Sequence, residues 1–231
     1  MKRFYREARA TAHADGHGVA LDAKPLCTPA KAELVVPSRP LAEAIAQEWH
    51  EQGDAIATAS MPLTRLASTA IDLVVPRRDA VIAETANYAG TDLVCYRAAL
   101  PPELARRQHE AWQPLLDWAR ARYDAPLMVT TGVAPLAQPP ASLAAFKAAV
   151  AAHDAMMLAA LRLATAASGS LVIALALTQR RLDADNAFAV AELDESFQIE
   201  RWGEDSEQTK RRAGLRDDLA IAERFAALLK E

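Results

Sequence analysis

The stretch AELDESFQIERWGED, residues 191–205, carries more carboxylates than a solvated helix face needs, and Trp202 stands close behind them. Laid on one helix over 184–202, Glu195 has Ala191 four residues before it, Ile199 four after and Trp202 seven after, with Phe188 a further turn back. That spacing puts Glu195 in the middle of an apolar stripe, and Val190, Leu193 and Phe197 form a second apolar arc. Glu192, Asp194 and Glu200 fall between the two and are expected in solvent. A charged carboxylate left unpaired among Ile, Phe and Trp is costly. Arg65, which interrupts an otherwise apolar helix, is a candidate partner, as are Arg97 and Arg162. Three readings stay open for Glu195. It is an internal ion-pair tie, a docking residue in a partner groove, or a general acid–base with Asp194 or Glu192 as its second group.

Other reactive side chains point to local structure. His13 and His17 flank a glycine turn, and without carboxylate or thiolate neighbours they make a poor metal site. Asp183 and Asp185 stand where a helix begins, so capping and dipole compensation explain them. DGHG, residues 15–18, lacks the third glycine and following helix of a dinucleotide fingerprint. Cys27 and Cys95 match no zinc or redox spacing and are expected as buried thiols. Trp112 and Trp118 are expected to anchor a core; Trp49 and Trp202, near helix ends after charged runs, are core residues or half-exposed anchors. No cofactor or metal is expected.

The elements that must position these groups change character along the chain. Short apolar runs split by Gly, Asp and Pro up to Pro37 read as hairpins of a small sheet. A helix then starts at Ser38 or Arg39 with Pro40 in its first turn. MPLTRLASTAIDLVV gives a second helix that Pro76 stops, and RRDAVIAETANYA a third. TDLVCYRA is expected as a short strand, and residues 102–123 as a helix bent at Pro114. PLMVTTGVAPLAQPP reads as an extended connector between halves, with helices over 142–152, 153–167, 170–179, 184–202 and 206–230 beyond it. In the apolar run 155–177, Arg162 and SGS at 168–170 leave pieces shorter than a membrane span needs, so two buried helices are expected rather than membrane insertion.

The fold expected is α+β: a small α/β N-terminal domain, residues 1–90, with a short antiparallel sheet, then a mainly helical, orthogonal-bundle-like domain, residues 91–231. A net charge of -4 argues against nucleic acid as the partner. MKRFYREARA has no apolar core of a signal peptide, so the cytoplasm is the expected compartment.

Taken in order, KRFYREA, LDAKPLCTPAK, LAEAIAQEWHEQGDAI, MPLTRLASTAIDLV, YAGTDLVCYRA, QHEAWQPLLDWA, SGSLVIALAL and LDESFQIERWGED span nearly the whole chain. As a set they resemble the assembly chaperones of F-type ATP synthase that act on the α subunit of its catalytic head. The resemblance implies a protein without enzymatic activity or cofactor. It would hold the new α subunit until the β subunit replaces it. It implies a small α/β domain followed by a helical one. The family's functionally sensitive acidic position falls on Glu195, with Gln198, Trp202 and Gly203 in the same motif. Asp194 and Arg65 complete the expected partner-binding set. Mitochondrial members of the matrix carry a targeting segment; this chain starts at the family's first motif, as a bacterial, cytoplasmic member would. A monomer is expected. The competing readings are a small acid–base enzyme built on Glu195 and a structural interaction protein.

Overall fold

In the computed structural model, β1 (Ala8–His13) and β2 (Gly16–Leu21) form an antiparallel hairpin with Ala8 opposite Leu21 and His13 opposite Gly16. The structure describes all residues but Val133, Glu204 and Glu231; Val133 of the extended stretch and Glu204 of the WGED motif therefore lie outside it. Gly16 has φ 143°, and a Cβ there would stand 2.5 Å from the Val36 carbonyl oxygen, so glycine is required at this turn. β3 (Lys24–Pro25) and β4 (Val35–Val36) both pair antiparallel with β2. The chain divides into two units: Met1–Arg78 with Asp154–Ala160 and Arg224–Glu231, and Asp79–His153 with Leu161–Glu223.

In the first unit α1 (Arg39–His50) covers β1 and β2. Ser38 caps it, its Oγ accepting from Leu41 N at 3.3 Å, and Pro40 fills the first turn as expected. Leu41, Ala42, Ile45, Ala46, Glu48 and Trp49 are buried, the stripe of an amphipathic helix. Glu48 is only 7% exposed and has a specific task. Its Oε1 accepts from Leu63 N at 2.7 Å, and its Oε2 from Thr64 N at 2.8 Å and Thr64 Oγ1 at 2.7 Å. Those amides open α2 (Pro62–Thr69), whose N-cap residue, Met61, makes no side-chain cap bond. A carboxylate from α1 thus meets the orphan donors and positive dipole end of α2. A π-helical turn, Ala70–Val74, carries α2 on toward Pro76.

In the second unit α3 (Arg78–Asn87) precedes β5 (Tyr96–Arg97), which pairs in parallel with β6 (Thr130–Thr131). The short strand at YR was expected; its partner inside the proline-rich stretch was not, and that stretch lies within this unit rather than between halves. α4 (Pro102–Tyr123) contains Pro114 without ending there. It buries Gln108, Trp112, Leu115, Leu116 and Ala119 on one face. α5 (Pro140–Ala151) follows, then α6 (Ala155–Ser168), of which Ala155–Ala160 counts with the first unit. α7 (Leu171–Thr178) is buried at every residue, as a helix apolar all round must be. Gly169 separates α6 from α7, and no described helix is long and apolar enough to cross a membrane. Two carboxyl and hydroxyl caps start α7: Ser170 Oγ accepts from Ile173 N at 3.0 Å, and Asp92 Oδ2 accepts from Val172 N at 3.1 Å. Burial pushes the Asp92 carboxyl up to about 6, against the pull of its bonds from Ser170, Val172 and Val94.

The helix expected over 184–202 is two helices, α8 (Ala184–Ala191) and α9 (Leu193–Trp202), broken at Glu192 (φ -100°, ψ 26°). Asp183 caps α8 through Asn186 N at 2.7 Å, so the acidic pair at 183–185 is capping chemistry. α10 (Ser206–Leu228) is the last helix among the described residues. The α+β architecture read from the sequence is the one observed: a short antiparallel sheet near the N-terminus and helices beyond it. The cysteines differ from expectation: Cys95 is buried, but Cys27 is exposed, and both are free thiols.

Candidate partner-binding site

Once Glu192 breaks the helix, α9 has its own two faces. Asp194, Phe197 and Arg201 look toward α4, and Phe197 is the one residue of α9 that is fully buried. The Arg107 and Arg201 guanidinium carbons lie 5.3 and 4.1 Å from the Phe197 ring centroid. Charges knit this side together. Arg107 bridges Glu200 at 2.8 Å and Glu103 at 2.9 Å, and Arg201 reaches the other Glu103 oxygen at 2.8 Å. The two arginines hold the Glu103 carboxyl below its usual range. Asp194 accepts from Gln108 Nε2 at 2.7 Å, and Gln108 in turn takes Ala98 N at 2.7 Å and Arg97 Nη1 at 2.9 Å. Burial raises the Asp194 carboxyl, with the Gln108 bond acting against it.

Glu195, Gln198 and Trp202, spaced i, i+3 and i+7, line the other face. Glu195 is half-buried and accepts from Gln208 Nε2 on α10. Gln198 is exposed and its side chain makes no hydrogen bond among the described residues. Trp202 is 76% exposed. Gly203, at φ 84°, ends α9 directly after it. The indole is an open apolar surface on a helix whose side toward α4 is tied by ion pairs.

The sequence reading needs correction on several points. The stripe through Glu195 and Trp202 is not a buried one: Glu195 and Ile199 are half-buried and Trp202 is 76% exposed. Among the described residues Glu195 pairs with no arginine; its partner is the Gln208 amide. Glu192 and Asp194, expected in solvent, are instead engaged. Glu192 bridges Arg211 at 3.0 Å and Arg212 at 3.1 Å, and Arg212 also donates to Ser196 Oγ at 3.0 Å. Of the arginines named as partners for Glu195, Arg97 lies over Trp112 at 5.3 Å and donates to Val94 O and Gln108 O. Arg162 is exposed on α6, and Arg65 is exposed on α2 in the first unit. The structure thus brings Glu195, Gln198 and Trp202 together along α9 in the second unit, while Asp194, a neighbour of Gln198 on the helix surface, is taken up by Gln108 of α4.

The acid–base reading requires a second titratable group converging on Glu195. The Gln208 amide does not supply one, and Glu192 and Asp194 are committed to arginines and Gln108. Among the described residues no three His, Cys, Asp or Glu side chains gather to hold a metal. His13 instead accepts from Asp15 N through Nδ1 at 3.1 Å. The sequence reading missed Glu103, Arg107 and Gln108, which fix α9 from α4; the Glu103–Arg107 spacing of four on one helix was the available signal.

Comparison with known proteins agrees with this architecture. The model of the ATP12 chaperone protein family matches residues 2–120. The crystal structure of Atp12 from Paracoccus denitrificans is 42% identical, with a TM-score of 0.96 over 99% of this chain and 98% of that one. A point-mutant structure of Atp12p from the same species gives 42% identity and a TM-score of 0.96, over 99% and 97% of the two chains. The Atu1473 protein of Agrobacterium tumefaciens is 38% identical, with a TM-score of 0.90 over 99% of this chain and 84% of that one. The chain belongs to the ATP12 chaperone family, the ATP synthase assembly chaperones that its motifs resemble.

Proposed function

We propose that this chaperone binds the unassembled α subunit of F-type ATP synthase and shields it until the β subunit takes its place. An α subunit outside the ring exposes apolar surface that β covers in the finished enzyme, and such surface aggregates. A protein that covers it and later leaves needs an interface of moderate affinity that mixes apolar and polar contacts. The outward face of α9 has that mixture: an open indole at Trp202 beside an amide at Gln198 and a carboxylate at Glu195. Trp202, 76% exposed on a helix pinned from behind, is the observation that carries this reading. The tryptophan supplies area, and the carboxylate selects a basic group on the client and sets orientation. The reading assigns no catalytic residue and places the work in the cytoplasm, where the α subunit would be made.

The test is affinity capture of the tagged chain from cells that accumulate free α subunit, followed by mass spectrometry. The α subunit is expected in the eluate, with the β subunit and the finished enzyme absent. Recovery of the whole enzyme would point to a structural subunit instead, and recovery of neither would contradict the proposal.

A further inference from the structure

The first unit contains a groove of about 500 Å³ between α2, the loop before β4 and the end of α1. Trp49, Met61, Leu73 and Pro29 give it apolar walls, and Arg65 and Cys27 stand exposed at it. Its polar groups are largely engaged within the chain. Thr64 Oγ1 donates to Glu48 and Thr28 Oγ1 to Asp72, whose second oxygen accepts from Ala30 N at 3.0 Å. Thr69 Oγ1 bonds the Arg65 carbonyl at 2.9 Å. Two donors remain unmet. The Arg65 guanidinium makes no hydrogen bond or ion pair among the described residues. The Nε1–H of Trp49 is buried without an acceptor.

A site for a small polar metabolite would present several convergent polar groups to fix its orientation. This groove offers an apolar slot with a cation beside it, the shape of an anchor pocket for a protein side chain. The volume suits one or two large side chains. The free cation selects a neighbouring carboxylate.

We propose that this groove takes a client segment in which a large apolar side chain stands next to an acidic one. The inference rests on the α-subunit reading above and adds a second contact, in the other unit, of opposite charge preference to the α9 face. Glu195 favours a basic group on the client, and Arg65 an acidic one.

Cys27 is a built-in reporter, since it is exposed at the groove while Cys95 is buried. The full-length chain and its cognate α subunit, diluted together from denaturant, are separated by gel filtration. N-ethylmaleimide labelling of the Cys27 peptide is then timed by mass in the complex and in the free chain. Labelling is expected to slow at least tenfold in the complex. Arg65→Glu is expected to weaken the complex about tenfold without changing the melting temperature, and Arg65→Lys to keep most of the affinity. A complex in which Cys27 reacts at the free rate, or Arg65→Glu binding as tightly as the unmodified chain, overturns the inference and leaves the α-subunit reading standing. Protection of Cys27 in the free chain at high concentration assigns the groove to a second copy and also overturns it. No complex at all contradicts the α-subunit reading itself.

Discussion

Glu195 and Trp202 share the outward face of α9, while Phe197 between them in sequence is buried on the face that meets α4. On one ten-residue helix, the side toward α4 is tied into the fold, and Gln198 and Trp202 stand exposed on another side. Substitutions on the two sides should have opposite signatures.

Trp202→Ala removes a side chain with little to lose in the free protein. Its unfolding free energy should change by no more than about 0.5 kcal/mol. Binding to the α subunit should weaken by about 2 kcal/mol, roughly thirtyfold. Thermal melts beside a binding titration check both; a large loss of stability with unchanged binding would make Trp202 a structural residue.

Glu195→Gln keeps an oxygen for the Gln208 amide, so its stability cost should stay below about 1 kcal/mol. If the carboxylate selects a basic client group, binding should fall about tenfold, and salt should weaken the unmodified complex more than the variant. Equal salt dependence in the two would remove the carboxylate from the interface.

Phe197→Ala is the control from the inward face. It empties a buried site between arginines and should cost about 3 kcal/mol of stability. Glu48→Ala should cost about as much for a different reason: it strands the buried amides of Leu63 and Thr64 and the Thr64 hydroxyl that open α2. Urea unfolding of each variant gives the numbers; a loss below about 1 kcal/mol for Glu48→Ala would mean that water replaces the carboxylate.

Asp92 adds a pH dependence. Its carboxyl is pushed up to about 6 in the fold from an ordinary 3.8. A carboxyl that binds its proton more tightly when folded stabilises the fold at low pH, and that contribution is lost as pH rises through about 6. Relative to Asp92→Asn, the unmodified protein should lose up to about 3 kcal/mol between pH 4 and pH 7. Parallel stability profiles for the two proteins would show that the capping bonds keep Asp92 charged throughout.

Much of the fold was legible in the sequence because local rules decide it. Ser38 followed by Pro40 starts α1, SGS at 168–170 separates α6 from α7, and Gly and Pro punctuate the hairpins. The break at Glu192 was not legible. No glycine or proline marks it; at the junction the Glu192 carboxylate meets Arg211 and Arg212 of α10, a long-range pairing that sequence spacing does not show. One unbroken helix over 184–202 would bury the stripe through Glu195 and Trp202, whereas Trp202 is 76% exposed. Glu195, Gln198 and Trp202 were named through the motif resemblance, which does not depend on helix phase. Long-range polar pairs such as Glu48 with α2 and Gln108 with Asp194 were beyond reach, since sequence spacing says nothing of which distant amides a buried carboxylate meets.

Dilution of denatured α subunit into buffer, followed by light scattering, puts the shielding role to trial. An equimolar amount of this chain should suppress the scattering and yield a complex on gel filtration that added β subunit dissolves. Undiminished scattering with no co-eluting complex would contradict it.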